Sequence, residues 1–152
     1  MKNVRIEVDT FVYETTEADP DDSWDRPNTA LDISGYRAVV VNDKADEKHY
    51  YWNDSLTVEV DDDSDEVYVV VVRYSTGDTF GHDDGQVYLA DAFDDEQDAY
   101  DLRDEFKKYD HSYDRRAVVP FNFEYKGKSY DIPWAGYFEI LEGIHVETIK
   151  IS

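Results

Sequence analysis

The chain has 152 residues, 41% of them hydrophobic, no cysteine, and 15 Lys and Arg against 37 Asp and Glu, a formal net charge of −22. That length fits a single domain over residues 1–152 with a sizeable core, and the lack of cysteine excludes disulfides and thiolate metal sites. Such an acidic chain repels nucleic acid and anionic membranes at long range and attracts basic partners.

Val4, Ile6 and Val8 alternate with Arg5, Glu7 and Asp9, the period of a half-buried strand running to about Tyr13. The same N-terminal stretch has no apolar signal core, so a cytoplasmic location is expected. Thr15 to Ala30, with two prolines among Asp, Asn, Ser and Thr, reads as a long loop anchored by Trp24. Gly35 to Val41 is the next strand, and Leu56, Val58 and Val60 mark another. Asp61 to Glu66 is a charged turn. Val67 to Tyr74 (VYVVVVRY) is apolar on both faces until Arg73 and reads as the central strand of a sheet. Val67 to Val72 within it is also the longest apolar run, far short of the ~18 residues a membrane helix needs.

Ser75 to Gly85, with three glycines, reads as a loop, and Gln86 to Ala92 as a short strand. A helix over about 94–109 follows. Asp94 and Gln97 have the spacing of a capping box, Asp95 and Glu96 suit the positive end of the dipole, and Ala99, Leu102, Phe106 and Tyr109 form one apolar stripe. Lys126-Gly127 is a tight turn between Val118–Tyr125 and Ser129–Ile132. Glu142-Gly143 separates a last strand pair, Tyr137–Leu141 and Ile144–Ile151. Strands without a βαβ rhythm, and one helix, predict an α+β fold: a largely antiparallel sheet with the helix packed on it.

The acids are unevenly placed. Residues 43–114 hold 23 acids and six bases, whereas residues 115–152 hold five of each. Asp94, Asp98, Asp101 and Glu105 fall at i, i+4, i+7 and i+11 along one helix flank, roughly 5–6 Å apart at about 1.5 Å rise per residue. Duplex DNA repeats a phosphate every ~3.4 Å per strand, so the row is a sparser field of the same kind. Asp61, Asp62, Asp63, Asp65 and Glu66 extend it from the neighbouring turn. This pattern points to a binding surface for a basic, nucleic-acid-binding protein, against the plainer reading of a solvated helix face.

Catalytic and metal motifs do not emerge. Counted from Asp61, an EF-hand would need Gly and Glu where Glu66 and Val72 stand. His49, His82, His111 and His145 form no close ligand pair. His82, near Asp78, is the one histidine placed for acid/base work, and His145 reads as a strand residue. There is no GxSxG and no phosphate-binding loop. Tyr50-Tyr51-Trp52 and Trp134 to Phe138 are aromatic, but without interleaved bases they do not suit single-stranded nucleic acid. No cofactor, no metal, no enzymatic activity and no direct nucleic-acid contact are expected, while an exposed sheet edge allows a homodimer.

The stretch Val67 to Gly81 (VYVVVVRYSTGDTFG) resembles small uncharacterised proteins encoded by bacteriophages. The acidic excess is similar to that of phage inhibitors of restriction or CRISPR nucleases, several of which mimic DNA. The resemblance implies an inhibitor that occupies the nucleic-acid channel of a host defence protein. Three alternatives stand beside it: salt adaptation, suggested by 25 Asp against 12 Glu; a phage structural or accessory role; and a Ca²⁺-dependent binding module.

Overall fold

Val4 and Ile6 are fully buried, whereas Arg5 and Glu7 stay half-exposed, so the N-terminal alternation turns one face of a sheet inward. The computed structural model describes residues 1–15, 28–46, 54–78, 81–110, 119–135 and 139–152. In chain order its elements are β1 (Lys2–Thr15), β2 (Asn28–Val41), β3 (Ser55–Val60), β4 (Glu66–Asp78), β5 (Gly81–Phe93), α1 (Glu96–Lys107), β6 (Asn122–Tyr125), β7 (Lys128–Asp131) and β8 (Ile140–Lys150). A short 3-10 turn, Pro133–Ala135, precedes β8. The fold is α+β, with antiparallel sheets and one helix among the described residues.

β1 is the centre of one three-stranded sheet, ordered β2-β1-β3, and β4 is the centre of a second, ordered β5-β4-β8. Between the sheets lies a dry interior of small branched side chains. Val4, Ile6, Ala38, Leu56, Val58 and Val60 come from the first sheet, and Val67, Val69, Val71, Leu89 and Ile149 from the second. The opposite face of β4 is buried as well. Val70, Val72 and Tyr74 meet Ala99, Leu102 and Phe106 of the helix and Phe123, Tyr130, Ile132 and Trp134 around the β6–β7 hairpin. The apolar run of β4 thus follows from burial on both faces, the central position that its composition predicts. The result is three layers: sheet, sheet, then helix and hairpin.

Three expectations are corrected. β2 begins at Asn28 rather than Gly35, because β1 runs on to Thr15 and supplies Asn28–Ile33 with a partner, past a register shift between Asp9 and Thr10. Trp24 and the rest of residues 16–27 lie outside the described residues, as do Tyr50-Tyr51-Trp52, His49 and His111. Ser75 to Gly85 is mostly strand: Thr76 pairs with Asp83, Gly77 with His82 and Asp78 with Gly81, so Gly77 and Gly81 sit in paired strand ends and Gly85 at a register irregularity within β5. Glu142-Gly143 is not a chain reversal. Arg73 lies opposite Gly143 and Tyr74 opposite Leu141, which leaves Glu142 as an extra residue in a continuous β8. A long β4 gives both halves of β8 the same partner, and a local turn signal yields to that pairing.

The Lys126-Gly127 hairpin is borne out, with φ of 49° and 79° at its two central residues. Both values are positive, as the right-handed twist of a two-residue hairpin requires. The helix is also borne out but starts later. Asp95, not Asp94, is its cap, in an extended conformation with Oδ1 accepting from the Gln97 amide at 2.8 Å. Phe93 is still paired with Tyr68 in β5, so the chain cannot turn into a helix until Asp95.

Candidate functional site

Asp94 has a different task, and it organises the acidic surface. Its carboxylate accepts from the Asp61 amide at 3.0 Å and from the Ser64 hydroxyl at 3.4 Å. The turn between β3 and β4 is thereby fastened to the strand-to-helix junction. Asp61, Asp62, Asp63 and Asp65 of the turn are exposed, as are Asp94, Asp95 and Glu96, while Glu66 is half-buried. Two segments about thirty positions apart in sequence therefore share one acidic corner. The field converges on Tyr68, whose hydroxyl donates to Glu66 at 3.2 Å. Desolvation raises the Tyr68 pKa, followed by the hydrogen bond and charge of Glu66 and the charges of Glu96 and Asp95.

Some of the charge is answered locally. The Met1 amino group meets Asp62 at 3.0 Å, and Lys2 donates to the Ser64 carbonyl at 2.8 Å. The rest of the predicted stripe departs from the corner along the helix. Asp98, Asp101 and Glu105 are half-buried. Asp101 accepts from the Gln97 side chain at 2.8 Å, and Glu105 pairs with Lys108 at 2.7 Å. The nine predicted carboxylates thus divide: Asp61, Asp62, Asp63, Asp65, Glu66 and Asp94 come together, and the other three form a separate flank. Asp95 and Glu96 join the corner, although sequence reasoning assigns them only to the helix dipole.

The residue missed altogether is Asp91. Its side chain is 1% exposed. Oδ2 accepts from the Tyr130 hydroxyl at 2.6 Å and from the Lys128 ammonium at 3.2 Å, and Oδ1 accepts from the Ala92 amide at 2.9 Å. A register shift between Val70 and Val71 makes Ala90 an extra residue, which turns Asp91 toward the hairpin instead of the valine interior. Burial raises the Tyr130 pKa, reinforced by the charge of Asp91. Burial also raises that of Tyr88, followed by the charge of Asp131. The phenols stay protonated and Tyr130 can donate. The signal in the sequence was an aspartate in the middle of an apolar strand, a position such residues avoid without a partner.

The other candidates resolve simply. His145 lies in β8 opposite Val71, with Nε2 3.0 Å from Glu147 Oε1, a strand residue as read. The His82 backbone pairs with Gly77 in the hairpin. Among the described residues no group of three or more His, Asp or Glu is arranged to hold a metal ion. None of their helices is long and apolar enough to cross a membrane. No family model matches the chain, and no curated protein or solved structure matches it either.

Proposed function

We propose that the protein is an acidic binding protein whose carboxylate corner docks onto a basic, nucleic-acid-handling partner in place of nucleic-acid phosphates. The observation that carries this reading is the Asp94 clasp on Asp61 and Ser64, which holds two acidic segments in one place. Acidic segments already fastened together present a cationic groove with charge, part of whose ordering cost is met within the fold. The finer form of the proposal is a phage-encoded inhibitor that fills the nucleic-acid channel of a host defence nuclease. It rests on the resemblance and on the net charge, and it needs no catalysis.

The test is capture from lysate at low salt, elution in a salt gradient and competition with duplex DNA. One nucleic-acid-handling protein, released by salt and displaced by DNA, is the expected result. The variant Asp62→Asn, Asp63→Asn, Asp65→Asn, Glu96→Gln spares the structural acids Asp94 and Asp95. It should abolish capture while leaving thermal stability intact. Asp98→Asn, Asp101→Asn, Glu105→Gln on the helix flank should retain it. Equal capture by both variants sinks the corner as the binding surface. Absence of a partner, with a melting temperature that climbs steeply into molar salt, would transfer the acidity to salt adaptation.

A further inference from the structure

A second feature lies where the two sheets meet along β2 and β8, and it concerns cationic and neutral donors instead of acids. The sheets are joined at one end by a parallel bridge between Ala38 and Ile151, with the Ser152 amide donating to the Ala38 carbonyl at 2.9 Å. From there they open toward Gly35. In β4 the inward row Val67, Val69, Val71 is fully buried, and two positions on it becomes Arg73. In β8, His145 and Glu147 lie opposite Val71 and Val69 and share that inward face. Gly35, Tyr36, Arg73, His145 and Glu147 line the resulting cavity of about 290 Å³.

An arginine at the end of a dry valine row is costly to place unless its guanidinium is engaged. Here it is hydrogen-bonded to the Tyr36 phenol. The phenol is held protonated chiefly by burial, against the opposing charge of Arg73. Guanidinium and phenol therefore lie together in one concave site, and the planar fork of an arginine matches a carboxylate. The volume is at the small end of ligand sites, which span about 300–1,000 Å³. It admits an occupant of few heavy atoms. Glu147 on the wall, with a net charge of −22 behind it, opposes negative charge on the occupant in proportion to its size, and the single Arg73 guanidinium offsets that for a monoanion better than for a dianion.

We propose that this seam cavity binds a small monocarboxylate, held by the Arg73 guanidinium and the Tyr36 hydroxyl, with the His145–Glu147 pair forming its outer wall. The site is separate from the acidic corner and does not depend on the function proposed for it.

Isotope-labelled full-length chain, titrated with sodium acetate and sodium propionate at fixed ionic strength, tests it by NMR. Saturable shifts at the amides of Tyr36, Arg73, His145 and Glu147 are expected, and chloride should not reproduce them. Inorganic phosphate should bind at least about tenfold more weakly than the better carboxylate. Arg73→Lys keeps the charge and loses the fork, and should weaken binding about tenfold. Tyr36→Phe removes one hydroxyl and should weaken it about fivefold; this milder change carries the test if Arg73→Lys does not fold. Non-saturating shifts, an equal response to chloride, phosphate as the tighter ligand, or unchanged affinity in Tyr36→Phe would overturn the proposal.

Discussion

Asp91 shows what a single side chain does in a layer that is otherwise aromatic and aliphatic. Three donors satisfy its carboxylate, two of them on β7, so one residue of β5 ties the hairpin to the second sheet. Removing it leaves the Tyr130 hydroxyl and the Ala92 amide without their acceptor in a dry setting. Asp91→Ala should cost about 2–4 kcal/mol in urea unfolding, and Asp91→Asn, which keeps an acceptor, distinctly less. The phenols add a pH dependence. Tyr88 and Tyr130 have folded pKa values raised above the ordinary value of 10.0. Between the unfolded and folded values the unfolded chain has lost these protons and the folded one retains them. Stability is therefore full below about pH 10 and falls as pH rises further. Denaturant midpoints measured at increasing alkalinity should show this decline, and Tyr130→Phe should flatten it. An aspartate inside an apolar strand was the local signal, but its partners were not legible, because the aim of Asp91 depends on the extra residue Ala90 and hence on pairing with β4.

At the scale of elements, what was legible is what has a local cause. The helix follows from its stripe of Ala99, Leu102 and Phe106, and the hairpin from Lys126-Gly127. Phe106 fixes how the two elements meet, with its ring 4.9 Å from that of Phe123 and 5.9 Å from that of Tyr130. Lys126 is a side chain held at positive φ, a conformation that costs about 1 kcal/mol or more outside Gly, Asn and Asp. Lys126→Asn should therefore stabilise the chain by up to about 1 kcal/mol, and Gly127→Ala should destabilise it by about as much. Paired thermal melts read both signs in one experiment. Two of the three misread elements depend on distant partners, and the third pairs within itself. Asn28–Ile33 needs the far half of β1, the Ser75–Gly85 stretch needs its own hairpin, and Glu142-Gly143 needs β4 to turn an apparent reversal into a bulge. The cap moved by one residue for a related reason: β5 holds Phe93, and the turn beside it claims the Asp94 side chain.

Across the whole molecule, charge and core are segregated more than a linear reading suggests. Among the described residues, the acids between Asp43 and Asp110 are spread over turns, a helix and strands, yet the fold gathers one set at a corner and leaves Asp98, Asp101 and Glu105 along the helix. Composition made the acidity plain, but the Asp94 clasp identifies which carboxylates lie together. The seam cavity was not legible, because Tyr36, Arg73 and His145 belong to three strands in two sheets. The central place of β4 was legible, since its run Val67–Val72 is the longest apolar run in the sequence.

That double burial has a consequence for solvent exchange. β4 is paired with β5 on one side and β8 on the other, and Val69, Val70, Val71 and Val72 are wholly covered above and below. No fraying edge or loosened face exposes these amides singly, so their hydrogens can pass to deuterium only when both layers separate. They should exchange most slowly in the chain, with protection equal to the free energy of global unfolding. The amides of Ser55–Val60, in a strand at the margin of its sheet, should exchange sooner. A single deuterium time course would then read the three layers as one cooperative unit, with four valines as its clock.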